Sequence, residues 1–366
     1  METQRINANH NEPVLCCRLS EARNLVISGC EASGLHFTDL DANTSVGTFN
    51  FNRDLKVDGA VSSIELSRKD DSVLYTSVGT HIYQLDIRLG TSKESIIRRY
   101  EDISEEEINN VSLNDDETRI AAGDDSGEIH IVDVSGTSNS SGNAHRVLRR
   151  GHSNICSSVI YRKKNKNQLM SGGLDCELIR WDPQRLKVVA KWTMPSVTAS
   201  GPEAINPPMI HSLDTTLLDE TKQEVVAIAR GDGCIALYDA DVGGAESSPS
   251  QKKSKQQSST MKSRPSGTQG LLWMAMEDDS CHSAASNAVA FTRVENSTLL
   301  LSGGNDARLL LWDWRNQDAP LLQQLHNGSH GKINCVQGVR NTIKASHTIG
   351  FYGDVLGSLY SVSGSM

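Results

Sequence analysis

Long apolar runs are missing from this 366-residue chain. No stretch of about 18 apolar residues exists to span a membrane, and no charged-then-apolar leader begins the chain, so a soluble protein of the cytoplasm or nucleus is expected. Cysteines number eight but never form a Cys-x-x-Cys pair. Zinc sites are marked by close ligand spacing, so Cys16, Cys17, Cys30, Cys156, Cys176, Cys234 and Cys335 read as small buried apolar residues in or beside strands, with no metal and no cofactor expected. Positive charge is also scarce: the formal net charge is −9, which argues against direct nucleic-acid binding, because that needs clustered Lys and Arg. The short basic stretch Arg162, Lys163, Lys164 and Lys166 reads as a solvated strand connection. Catalytic motifs are lacking as well. There is no phosphate-cradling Gly-Lys-Ser/Thr loop and no His-Glu-x-x-His, and Gly123-Asp124-Asp125-Ser126-Gly127 has the composition of a turn, so no catalytic residue is expected.

What the chain has instead is self-similarity. Val14, Val61, Ile108 and Ile155 open short apolar strands at a constant step of 47 residues, and Ile210, Ala285 and Ile333 continue the series at steps of 55, 75 and 48. A fixed period of roughly 20 to 50 residues marks a repeat architecture, in which no single unit buries its own apolar face. Seven units are therefore expected. Unit four reads Gly151-His152, strands over 155–161 and 169–173, Asp175 in a turn, and a strand over 178–181 followed by Asp182. Unit six repeats this with His282, runs at 287–291 and 299–303, Asp306, a run at 309–312 and Asp313. His precedes Asp by 23 residues in one and 24 in the other, and Asp precedes Trp by six in both.

Gly-His near the start and Trp-Asp near the end of a unit of about 40 to 45 residues resembles the WD-repeat family of β-propellers, and the likeness covers nearly the whole chain. It implies an all-β, seven-bladed WD40 propeller with blades near residues 10–51, 59–100, 107–150, 151–193, 206–276, 281–325 and 330–363, the last closed by residues 3–8. In the good copies a His, a Ser, an Asp and a Trp from different strands would hydrogen-bond in series: His152, Ser171, Asp175 and Trp181 in unit four, and His282, Ser302, Asp306 and Trp312 in unit six. Other units depart from the pattern, ending in Thr38-Asp39, Leu85-Asp86, Val132-Asp133 and Tyr238-Asp239. In unit seven Asp354 stands six residues before Tyr360, and Ser361 replaces the final Asp. An apolar residue in the Trp slot still packs between neighbouring sheets.

The segment 242–269 within blade five is rich in Ser, Lys, Gln and Pro and is expected to be disordered, as is a smaller Ser- and Gly-rich loop at 137–142. The acidic run Glu101, Asp102, Glu105, Glu106 and Glu107 lies between blades, where solvated charge is the default.

The end of unit six carries the sharpest signal. LLSGGNDARLLLWDWR, residues 300–315, matches the box by which many WD-repeat proteins dock on the damaged-DNA-binding-protein-1 adaptor of cullin-4 RING ubiquitin ligases. Its diagnostic part is Trp312-Asp313-Trp314-Arg315, and Leu85-Asp86-Ile87-Arg88 is a weaker second copy. In unit four Arg185 comes one place late. The stretches at 12–16, 105–114, 124–134, 152–162 and 299–313 are similar to one branch of the WD-repeat family. That branch, in animals, has a basic insertion after unit six, whereas here the Lys-bearing insertion lies in unit five, so no role is carried over to it. The resemblance implies a non-catalytic, monomeric substrate receptor docked through Trp312, Asp313, Arg315, Asp86 and Arg88. Loops of the opposite face, including 101–107 and 194–209, would hold a substrate the sequence does not name. The alternative is a WD40 scaffold or peptide-binding propeller unconnected with ubiquitin, using its central pore or a blade edge.

Overall fold

A computed structural model describes residues 1–8, 10–136, 145–196, 206–242, 268–275, 281–316, 318, 320–327, 331–340 and 348–364. The 137–142 loop, nearly all of the 242–269 insertion and the middle of 194–209 lie outside the described residues.

Short β-rich runs punctuated by Gly, Asp, Asn and Ser turns fold into seven four-stranded antiparallel sheets. The first strand in sequence, β1 (Glu2–Ile6), is the last to be placed. Blade one is β2 (Val14–Ser20), β3 (Leu25–Cys30), β4 (Gly34–Asp39) and β5 (Thr44–Asn50). The short helix α1 (Phe51–Leu55) leads to blade two, β6 (Val61–Leu66), β7 (Val73–Val78), β8 (His81–Asp86) and β9 (Ile96–Tyr100). Blade three is β10 (Ile108–Leu113), β11 (Arg119–Asp124), β12 (Ile129–Asp133) and β13 (His145–Leu148), and blade four is β14 (Cys156–Tyr161), β15 (Leu169–Gly173), β16 (Glu177–Asp182) and β17 (Lys187–Thr193). Blade five comprises β18 (Ile210–Leu217), β19 (Glu224–Arg230), β20 (Ile235–Asp239) and β21 (Leu271–Ala275). Blade six comprises β22 (Ser286–Val294), β23 (Ser297–Gly304), β24 (Arg308–Trp312) and β25 (Leu321–His326). Blade seven is β26 (Ile333–Gly338), β27 (Thr348–Asp354) and β28 (Leu359–Ser363), with β1 on its outer edge in register from Glu2↔Ser363 to Ile6↔Leu359. The chain is thus the expected seven-bladed propeller, and the N-terminal strand closes its last blade and covers an edge that would otherwise be free to pair.

Every inner strand carries a β-bulge two residues wide at its start, from Val14/Cys16 round to Ile333/Cys335. Except in blade one, where it is Leu15, the extra residue of the bulge is polar and lines the channel, and in several blades it ties its blade to the next. Asn109 Nδ2 donates to the Cys156 carbonyl (3.4 Å), Asn287 Nδ2 to Ile333 (2.9 Å) and Asn334 Nδ2 to Val14 (3.1 Å), and the Ser62 and Ser157 hydroxyls donate to Ile108 and Ile210. The Asn334 bond crosses from blade seven to blade one and so helps to shut the ring. Between sheets, apolar side chains interleave, as where Trp192, Ile210 and Tyr238 meet between blades four and five. Close approach there requires glycine: a Cβ on Gly172 would stand 2.3 Å from Ile210, and one on Gly353 would stand 2.4 Å from Val14.

The structure shifts three positions of the repeat. Blades four and six open at the buried Cys156 and Ser286, one residue later than Ile155 and Ala285, which are only half-buried and belong to the preceding loops. The extra loop residue is invisible when apolarity alone sets the phase. In blade seven the Trp slot, opposite Gly350, is filled by the buried Val362, whereas Tyr360 lies opposite Tyr352 and stacks on it at 4.9 Å. The six-residue step from Asp354 to Tyr360 therefore does not reproduce the step from Asp175 to Trp181.

Candidate docking face

Among the described residues, two blades carry complete hydrogen-bonded tetrads. In blade four the His152 Nδ1–H donates to Asp175 (3.0 Å to one oxygen, 3.2 Å to the other), Ser171 Oγ–H donates to His152 Nε2 (2.7 Å), and the Trp181 indole N–H donates to Ser171 Oγ (2.7 Å). Blade six repeats the chain with His282, Asp306, Ser302 and Trp312 at 2.9, 2.9 and 2.9 Å. Burial alone would raise the Asp306 carboxyl, but the hydrogen bonds it accepts from His282 and from the Arg308 guanidinium hold it well below the usual carboxylate range. These residues are buried and structural, and Trp312 in particular presents nothing to a partner.

The other members of the box sort differently. Asp313 and Asp86 cap the turns that follow β24 and β8: Asp313 accepts from the Arg315 backbone N–H (3.3 Å), and Asp86 accepts from that of Arg88 (2.9 Å). Both arginines are exposed. Both lie in third-to-fourth-strand connections, so they share one face of the ring, separated by blades seven and one. Their states differ. The Arg88 guanidinium is clamped on Asp86, with Nε at 2.9 Å and Nη2 at 2.6 Å, and Asp70 stands 3.6 Å away. The Arg315 guanidinium rests over the Trp314 ring, 5.2 Å from its centroid, with no ion pair among the described residues. Trp314 is buried beneath it, its indole N–H without a hydrogen-bond acceptor among the described residues. Arg185 is exposed and lies 3.7 Å from Asp182.

The same face holds one mouth of the central channel, a cavity of about 550 Å³ walled by the inner strands. Charge concentrates there: Arg340 donates to Asp214 (2.6 Å), Arg18 lies 3.7 Å from Glu65, and burial, then the field of Arg340, lowers the Lys163 ammonium to about 8. Beside it Arg162, which sequence reasoning placed on a solvated turn, is buried and bonded to the fully buried Glu224 (2.9 Å) and to Asp241, cross-linking blades four and five. Its partner lies 62 residues away, so no local pattern announces the pair. On the opposite face the acidic stretch is partly built in: the Ser104 hydroxyl donates to Asp124 (2.7 Å), and Ile103 is buried.

The topology is that of a seven-bladed β-propeller, and its His-Ser-Asp-Trp tetrads resemble those of WD-repeat proteins, a class that generally serves as a non-catalytic scaffold for protein interactions. The particular likeness is to WD repeat-containing protein 53. Its homolog from Dictyostelium discoideum is 26% identical to this chain over 256 residues, which cover 65% of this chain and 64% of that protein. No family model matches the sequence.

Proposed function

We propose that this propeller is a substrate receptor of cullin-4 RING ubiquitin ligases, docking on the damaged-DNA-binding-protein-1 adaptor through the Arg315 and Arg88 face. The observation that carries the reading is the free Arg315 guanidinium, fixed in direction by Trp314 and by the Asp313 turn yet unspent in any ion pair among the described residues. A planar guanidinium so held makes several directed hydrogen bonds to a partner with little further loss of side-chain entropy. Arg88, already paired with Asp86, contributes less, because binding must first release or share that pair. The opposite face is left to the substrate, in the cytoplasm or nucleus, and no step of catalysis is assigned to the protein itself.

Co-purification with the adaptor is the test, using wild type, Arg315→Ala, Arg88→Ala and the double variant, each checked by thermal melt. A folded Arg315→Ala protein should lose adaptor binding by at least tenfold, and Arg88→Ala by less. Wild-type protein that fails to bind the adaptor would overturn the reading. The charged mouth of the 550 Å³ channel favours a second reading, a scaffold holding a partner's peptide segment. In that case Asp214→Ala, which strips Arg340 of its partner, would change partner capture while Arg315→Ala would not.

A further inference from the structure

Blade one keeps half a tetrad and carries different side chains in the rest. His10 stands where His152 stands in blade four, with its Nε2 2.6 Å from Ser28 Oγ. The next two positions differ. Ala32 occupies the Asp175 place, four residues after the serine. Cys30 occupies the Gly173 place, two residues after it. In blade four a Cβ on Gly173 would meet His152 Nδ1 at 2.5 Å, so any side chain at this position points at the histidine's second nitrogen. In blade one that side chain is a thiol. His36, opposite Ser28 across the β3–β4 pair, completes the group, its ring centroid 3.8 Å from that of His10.

We propose that His10 Nδ1, Cys30 Sγ and His36 Nε2 form a binding site for a borderline-soft divalent metal ion, zinc by preference. The three ligand atoms already lie within 4.8 Å of one another. Tetrahedral zinc bonds of about 2.0–2.1 Å to nitrogen and about 2.3 Å to sulfur place such atoms roughly 3.4–3.6 Å apart, so closure asks for about 1 Å of side-chain adjustment. His10 Nδ1 is a buried nitrogen with no hydrogen-bond partner among the described residues, in a residue 8% exposed. A buried polar atom left alone is costly, and a metal ion satisfies it. The outer shell is in place as well. His36 Nδ1–H donates to the Ala8 carbonyl (2.7 Å), which leaves Nε2 as the lone-pair nitrogen turned to the thiol, and Ser28 does the same for His10. Burial, and secondarily the neighbouring His36, lowers His10 to about 3, and burial lowers His36 too, so both imidazoles are neutral and ready to ligate at neutral pH. Burial raises the Cys30 thiol, so metal binding must release a proton and should weaken as pH falls. Space is reserved for the ion at Gly34, where a Cβ would come 2.9 Å from Cys30 Sγ and 3.1 Å from His36 Nε2. A neighbouring cleft of about 390 Å³, lined by Cys30 and His36 together with Glu12, Asn50 and Arg53, would admit water to an ion held there. The site lies on the face opposite Arg88 and Arg315, at the joint between blades seven and one.

The experiment is titration of the purified full-length chain with Co²⁺ as a spectroscopic stand-in, followed by displacement with Zn²⁺. Expected are one ion per chain, the ligand-field bands of a tetrahedral site with thiolate-to-cobalt charge transfer, and their loss on adding zinc. Cys30→Ser should abolish the charge transfer, and His36→Gln should weaken binding at least tenfold. Gly34→Val removes no ligand but should block the site sterically, and Cys281→Ser, a thiol elsewhere, should leave the spectrum unchanged. Each variant is checked by thermal melt without metal. Folded wild type that binds no stoichiometric cobalt overturns the proposal, as does an unchanged charge-transfer band in folded Cys30→Ser.

Discussion

Ser171 is the residue through which the tetrad of blade four is most directly tested. Its hydroxyl donates to His152 Nε2 and accepts from Trp181 Nε1, both at 2.7 Å, and the side chain is fully buried. Ser171→Ala removes one oxygen atom, changes volume little, and leaves two buried polar atoms without partners. Each such orphan costs about 1–3 kcal/mol, so the variant should lose about 2–4 kcal/mol once the shared environment is allowed for. Trp181→Phe deletes the indole donor as well as packing volume. In the double variant only the His152 orphan remains, so its loss should fall short of the sum of the single losses by about 1 kcal/mol. Ser28→Ala in blade one is the internal comparison, since that hydroxyl has a single side-chain partner among the described residues, His10, and its loss should be roughly half that of Ser171→Ala. Equilibrium urea unfolding with constant m-values reads all four. A loss below about 1 kcal/mol for Ser171→Ala, or strict additivity in the cycle, would refute the claim that the tetrad acts as a coupled network.

Arg162→Ala should cost about 3–5 kcal/mol in the same assay, because it strands Glu224 as an unpaired buried charge, and Glu224→Gln in that background should recover part of the loss. Asp124 is buried, which alone would raise its carboxyl, but hydrogen bonds from His130, Ser104 and Ser126 outweigh burial and bring it to about 2. A depressed carboxyl stabilises the fold above its unfolded pKa of about 4 and loses that stabilisation as pH falls toward its folded value. Wild type should therefore exceed Asp124→Asn by roughly 2 kcal/mol at neutral pH, and the gap should close between about pH 4 and pH 2, as read by urea titrations across pH. Gly338→Ala puts a Cβ 2.1 Å from the Phe291 backbone oxygen, where nothing flexible can yield, and should cost about 3 kcal/mol or prevent folding, seen as a lowered melting temperature or loss of soluble protein. Deleting residues 1–6 exposes the β28 edge and should lower the melting temperature and promote self-association, measured by light scattering.

The ring itself was legible because its repeat is a burial pattern. Val14, Val61, Ile108, Ile210 and Ile333 are the residues that pack on the preceding blade, and each is fully or nearly fully buried. The phase slipped where burial and apolarity part company: Cys156 and Ser286 take the slot in blades four and six, and Val362 takes the Trp slot that Tyr360 seemed to fill. The tetrads were legible because their chemistry fixes both residue type and spacing. The difference between Arg88 and Arg315 was not, since the two share a motif and only the fold brings Asp70 to Arg88. Nor was the group His10, Cys30 and His36, whose members come from a loop and two strands and have no short-range spacing of their own. Its only sequence signal is an aligned position, a cysteine where the good repeats have glycine.

That aligned position ties the degenerate blades together. Opposite the opening residue of the inner strand stand Gly173 and Gly304 in the complete blades, but Asp124, Arg230 and Asp354 in blades three, five and seven. Each of these charges is answered locally. Asp124 is bonded to His130 (2.8 Å), which meets His145 in turn (2.9 Å), Arg230 is bonded to Asp232 (3.0 Å), and Asp354 accepts from Asn327 (3.0 Å). The slot thus tolerates varied chemistry so long as its polar atoms are paired, as burial demands. Blade one puts a thiol in the slot, and there the histidine nitrogen facing it has no partner among the described residues. A rule of pairing met in the other polar slots and unmet among the described residues here singles out this nitrogen as the ligand position of the proposed metal site, on the face opposite Arg315 and Arg88.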